Sequence, residues 1–230
     1  MRINWSVLGN ILKIYKDSGW TVKIFVLIRY LVCPWEKIVE RLVPLIDDES
    51  LLDIGCGHGL LLHLVEMGAK CHRCVGIDHD RTKIVVAHRS ISSSTKITVL
   101  DSRELQQLSG QRFRCITLID VLYAIPTKDW SKIWKLVHEN LEADGVLFIK
   151  ETVNHPTFKY WICLLQEIFA TKILKYTKGQ FPFLPSYDYY IKELTKNQFD
   201  VIEHMRVDQG YLWPHYLFIA RNKPENRQDH

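Results

Sequence analysis

Residues 51–59 read Leu-Leu-Asp-Ile-Gly-Cys-Gly-His-Gly, and Leu60, Leu61, Leu62, Leu64 and Val65 follow directly. An apolar run ends in Asp53, three glycines recur at alternate positions (Gly55, Gly57 and Gly59), and a second apolar run begins. That order predicts a buried strand, a tight turn and a helix. Glycine permits positive φ and lets a ligand approach without a Cβ in the way. In α/β proteins such a turn lies at the open edge of the sheet, against a helix N-terminus, where nucleotides bind. Cys74-Val75-Gly76-Ile77-Asp78 predicts a second strand, again ending in a carboxylate. An acid at that tip can accept hydrogen bonds from both hydroxyls of a ribose.

The pattern continues. Ile97–Leu100 lead into Asp101 and Ser102, Phe113–Ile119 into Asp120, and Gly145–Lys150 into Glu151. With these stations in order, the chain resembles the class I S-adenosylmethionine-dependent methyltransferases from about Leu51 to Glu151, and more loosely to Arg221. Asp-Ile-Gly-Cys-Gly-His-Gly is a specific form of that family's first motif. The resemblance implies a doubly wound, mostly parallel seven-stranded α/β sheet with an antiparallel last strand. Tyr187–Lys196 reads as a helix, and Phe199–Val207 and Tyr216–Arg221 as the last two strands. A dinucleotide-dependent oxidoreductase is the competing reading. Its fingerprint places a glycine where this chain has Leu60, and no later segment suggests a hydride-transfer site. A third reading is a catalytically silent methyltransferase fold acting as a binding subunit, because fold alone does not give function.

The resemblance implies S-adenosylmethionine as cofactor. Asp53, Gly55, Cys56, Gly57 and Gly59 would cradle its methionine portion, and Asp78 and His79 would lie at its ribose. Asp101 and Ser102 would address the adenine edge, and Asp120 would either orient the amino group or only cap its strand. On the acceptor side, Tyr123 would flank the transferring methyl, and Glu151 and His215 would be the candidate bases. A histidine titrates near neutrality and suits proton removal. His155 and His58 are weaker candidates. The segment around Arg29–Trp35 also resembles methyltransferases of bacterial lipid or polyketide-type gene clusters. That favours a small, lipophilic acceptor and O- or C-methylation.

The net charge of +4 bounds the partners. Residues 1–46 hold seven Lys or Arg and three acids, so the whole excess lies there and residues 47–230 sum to zero. A cofactor domain without net positive charge speaks against nucleic acid. So does Asp120-Val-Leu-Tyr123, which stands where a nucleic-acid enzyme of this family would carry Asn-Pro-Pro-aromatic.

Residues 1–46 read as a helical arm, broken at Ser18-Gly19 and at Cys33-Pro34. Trp5, Leu8, Ile11, Leu12 and Tyr15 recur at helical spacing. The arm is expected to serve as a lid over the cofactor site and to make peripheral contact with an anionic membrane. The apolar run Ile24–Val32, split by Arg29, is too short for a span of roughly 20 residues. No signal peptide is expected, so the expected location is cytoplasmic, with contact at the inner membrane face. Residues 47–221 form the expected methyltransferase domain, with an aromatic, lysine-rich helical insertion at 155–186 and a disordered tail at 222–230. The six cysteines are expected as free thiols, and Cys71-His-Arg-Cys74 lacks the second pair that zinc spacing requires. No metal is expected.

Overall fold

The computed structural model describes residues 4–91, 96–154 and 184–223. Three helices come first: α1 (Trp5–Ile14), α2 (Trp20–Val32) and α3 (Trp35–Ile46). The sheet then alternates with helices: β1 (Ser50–Ile54), α4 (Leu60–Gly68), β2 (Arg73–Asp78), α5 (Arg81–Ser90) and β3 (Ile97–Asp101). β4 (Phe113–Ile119), α6 (Trp130–Asn140), β5 (Leu141–Thr152), α7 (Tyr187–Lys196), β6 (Phe199–Arg206) and β7 (His215–Asn222) complete it. The strand order is β3-β2-β1-β4-β5-β7-β6, with β7 antiparallel to both neighbours. This is the sheet expected from the sequence.

The central strands are buried on both faces, which explains their unbroken apolar runs. Successive residues of a strand point to opposite faces. Leu51, Val146 and Phe148 therefore enter a core layer shared with the arm, α4 and α5. Leu52, Leu147 and Ile149 enter a second layer with α6 and α7. Continuing that alternation puts Lys150 on the arm side and Glu151 on the α6–α7 side.

The arm is part of the first core layer. Ile11, Tyr15, Val26, Ile38, Leu42 and Ile46 are buried in it. The expected apolar stripe of α1 splits: Leu8, Ile11 and Tyr15 turn inward, whereas Trp5 is 72% exposed and Leu12 is 42% exposed. The reason is angular, because a stripe five residues wide covers more of the helix circumference than the sheet layer contacts. Cys71 and Cys74 correct a second expectation. They are paired as a disulfide, because the turn between α4 and β2 brings their Cα atoms to 6.6 Å, within disulfide reach. Cys33, Cys56 and Cys115 are free and buried. The insertion expected at 155–186 lies outside the described residues up to 183, as do His155 and the tail from 224 onward.

Candidate active site

The strand order reverses direction between β1 and β4, and α/β sheets bind ligands in the crevice beyond the strand ends at such a point. Here that crevice is floored by the glycine turn after β1 and by Asp120 after β4. Gly55 has φ +79°, and a Cβ there would come within 2.5 Å of the Val121 side chain, so the two loops press together. Gly57 has φ +57°, and a Cβ there would meet no atom within 4 Å. Its glycine is thus required by backbone conformation, and its face stays open toward the crevice. Helix α4 starts directly behind, so its N-terminal amides add positive potential.

Asp78 holds this turn in place. One carboxylate oxygen accepts from the Gly57 amide at 2.9 Å, and the other accepts from the Asp80 amide at 2.8 Å. A carboxylate has roughly four acceptor sites, so lone pairs are left over for a ligand. His79 lies beside it at 3.5 Å and is almost fully exposed. Gly76, not singled out from the sequence, is needed because a Cβ there would lie 2.8 Å from the Cys56 sulfur. Asp53 lies beneath the turn, accepts from the Thr117 hydroxyl at 2.7 Å, and is pushed up to about 7 by burial. Asp101 is engaged by Arg103 through the backbone amide at 3.0 Å, through Nε at 2.8 Å and through Nη2. Ser102 opens the 3-10 turn that follows.

Asp120 has φ +57°, an uncommon conformation for a non-glycine residue. Its backbone amide donates to the Lys150 carbonyl at 2.8 Å. Its carboxylate meets Arg29 of α2 at 2.5 Å and the Lys150 ammonium at 2.6 and 2.7 Å. Burial alone would raise its pKa, but the two cations hold it well below the usual carboxylate range. Neither cation was picked out from the sequence. The signals were present: Arg29 interrupts the most apolar run of the arm, and Lys150 ends an otherwise apolar strand.

Glu151 and His215 occupy different places. One Glu151 oxygen accepts from the Val121 and Leu122 amides at 2.9 and 2.7 Å. The other is buried without a hydrogen-bond partner among the described residues. Burial, and then Asp120, push its pKa up to about 8, so it is chiefly protonated at neutral pH. Glu151 thereby anchors the 3-10 turn Leu122–Ala124 that carries Tyr123. His215 lies on the arm side of the sheet. Its Nε2 is 3.0 Å from the Val32 carbonyl, which can only accept, so Nε2 carries the proton. Nδ1 faces the Thr152 hydroxyl at 3.4 Å. Burial and Lys150 push its pKa down to about 3, so the ring is neutral and ties β7 to the arm. His58 belongs to the glycine turn, its carbonyl accepting from the Tyr15 hydroxyl at 2.8 Å.

These shifts have a measurable consequence. Glu151 has a folded pKa near 8 against about 4.5 when unfolded. The native state therefore binds more protons between those values, and stability falls as pH rises through that window. His215 acts oppositely, but only up to its unfolded pKa of about 6.5. Between pH 6.5 and 8 the melting temperature is expected to fall, and Glu151→Gln is expected to flatten that slope. Glutamine keeps the acceptor for Val121 and Leu122 and stays neutral. Parallel slopes in wild type and variant would show that Glu151 does not hold this proton.

The family model for a methyltransferase domain matches residues 27–208. The chain belongs to the methyltransferase-domain family. No curated protein matches it in sequence. Among solved structures, the complex of DhpI with SAH has a TM-score of 0.60 at 13% identity, covering 82% of this chain and 83% of that one. An S-adenosylmethionine-dependent methyltransferase from Mesorhizobium loti has a TM-score of 0.61 at 14% identity, covering 83% and 98%. The [4+2]-cyclase SpnF has a TM-score of 0.61 at 13% identity, covering 82% and 80%. All three share the class I methyltransferase fold with this chain. A cyclase among them illustrates that the fold does not by itself set the reaction.

Proposed function

We propose that this methyltransferase-family protein uses S-adenosylmethionine to methylate a small, lipophilic acceptor at oxygen or carbon. The observation that carries the cofactor reading is the Gly57 peptide, open toward the crevice and held by Asp78 at the switch point. The residues fit the cofactor chemically. Asp78 retains acceptor capacity for a ribose, and Asp101 and Ser102 lie at the neighbouring strand end for the adenine. Arg29 and Asp120 present a cation and a carboxylate that complement the zwitterionic amino-acid end. When bound, the cofactor supplies an activated methyl on a sulfonium, so the protein's task is mainly position and orientation.

In this reading Tyr123 borders the acceptor and Glu151 sets its position through the 121–122 amides. His215 acts through the arm, which it fastens at Val32; proton uptake by it first requires release of the Thr152 contact at Nδ1. Acceptor-dependent release of S-adenosylhomocysteine is the test. Release is expected with lipophilic hydroxyl acceptors and is expected to fall in Glu151→Ala, which frees the Val121 and Leu122 amides, and in His215→Ala, with cofactor affinity nearly intact. Tight S-adenosylhomocysteine binding without turnover on any acceptor would favour a binding subunit. Preferential binding of a dinucleotide would favour an oxidoreductase.

The arm supports a second element of the proposal, peripheral contact with an anionic membrane. Trp20, Ile24 and Ile28 recur every four residues along α2 and are 73%, 47% and 52% exposed; Lys23 lies on α2, Lys13 on α1 and Lys16 in the turn between them. Exposed aromatics beside lysines suit an interfacial helix. No helix among the described residues is long and apolar enough to cross a membrane. Flotation with anionic vesicles at low salt, reversed at high salt, is the expected result. Absence of flotation at low salt would leave the arm as a lid alone.

A further inference from the structure

A cavity of about 340 Å³ lies outside the cofactor crevice, under the arm. Its lining includes none of Gly55, Gly57, Asp78, Asp101 or Asp120. It is lined by α3 through Val39 and by α4 through Leu64 and Met67. Asn4 and Val7 at the start of α1, the C-terminal end of α2 and Tyr211 from the β6–β7 connection close the remaining sides. The volume is within the range of small-molecule sites, and a mainly apolar lining with a few convergent polar groups is their usual composition.

The polar groups have one sign. Glu36 and Glu40 both line the cavity, and among the described residues no Lys, Arg or His does. They are one helical turn apart on α3, which puts them on one face. Neither is in an ion pair among the described residues, whereas Arg41 on the same helix is matched to Glu203 at 3.2 Å. The Tyr30 hydroxyl at this site donates to the Asn4 carbonyl at 3.3 Å. An apolar chamber whose formal charges, among the described residues, are two carboxylates is complementary to a cation with an apolar body. We infer that this cavity is a second ligand site, taking a soluble amphiphile with a protonated amine head and a short hydrocarbon or aromatic body. The body fills the space between Val39, Leu64 and Met67, and the ammonium lies between Glu36 and Glu40.

The test compares three probes of one chain length on the wild-type protein by calorimetry, each below its micelle-forming concentration. These are decylammonium, decyl sulfate and decyl maltoside. The expected result is saturable binding of one decylammonium per chain, at least tenfold tighter than either comparator. Glu36→Gln with Glu40→Gln is expected to weaken decylammonium at least fivefold and to leave decyl maltoside unchanged. Both positions are exposed, so the variant is expected to fold as wild type. Val39→Trp, checked for folding by circular dichroism, is expected to abolish binding by filling the chamber. Equal affinity for the three probes, or an unchanged affinity in the double glutamine variant, would overturn the inference. Because cofactor and acceptor are absent, this outcome is independent of whether methyl transfer is observed.

Discussion

Replacing Asp78 by alanine is expected to weaken S-adenosylhomocysteine binding by about 10- to 100-fold. A hydrogen bond to a charged group contributes about 1.5–3 kcal/mol, and each 1.4 kcal/mol is tenfold in affinity. Two effects act together. The variant loses the acceptor proposed for the ribose, and it also frees the Gly57 and Asp80 amides that the carboxylate now holds. The glycine turn then samples other conformations and must be reordered on binding. Asp78→Asn separates the two effects, since the amide keeps one acceptor oxygen and loses the charge. An intermediate affinity is expected for it by calorimetry. Wild-type affinity in Asp78→Ala would place the ribose contact elsewhere.

The largest stability effect is expected from Asp120→Ala. Lys150 is fully buried and donates to Asp120 from 2.6 and 2.7 Å. Removing one partner of a buried pair leaves an uncompensated charge and typically costs about 3–5 kcal/mol. For a chain of this size that corresponds to a melting-temperature drop of roughly 6–20 °C. The double variant Asp120→Ala with Lys150→Met is expected to recover the part of the loss that comes from Lys150, because no buried ammonium is then left without its partner, whereas Arg29 still lacks its carboxylate. Thermal denaturation of the single and double variants gives the coupling directly. Additive losses would show that Asp120 and Lys150 do not stabilise each other. Asp120 also receives Arg29 at 2.5 Å. Loss of the carboxylate therefore releases the arm from the sheet as well, and increased proteolysis between α2 and α3 is expected alongside the lower melting temperature.

The legible part of this molecule is the part whose chemistry is local. The five parallel strands announce themselves as apolar runs because both faces of the sheet are covered. Their terminal acids follow each run directly, so Asp53, Asp78, Asp101 and Asp120 could be placed from order alone. The glycine turn is legible for a related reason: Gly55 and Gly57 need positive φ, and that requirement lies in the residue itself. Cys71 and Cys74 show the limit of local reading. Spacing named them as a pair but could not say whether their sulfurs meet; the path of the chain from α4 into β2 decides that.

What the sequence alone determined, then, is the strand–turn–helix alternation and the line of glycines and acids along one sheet edge. Tertiary structure alone decided what each acid and each candidate base is bonded to. Arg29 reaches Asp120 across 91 residues, Thr117 reaches Asp53 across 64, and Val32 reaches His215 across 183. The sequence put forward His215 as a candidate base, and packing of the arm sets its Nε2 on the Val32 carbonyl. Glu151 was equally visible as a strand-end acid. Only burial between the sheet and α6–α7 makes it a neutral acid that holds the loop after β4. Protonation state and hydrogen-bond partner depend on solvent exclusion and on groups brought in from distant segments, and neither is a property of a residue's neighbours in the chain.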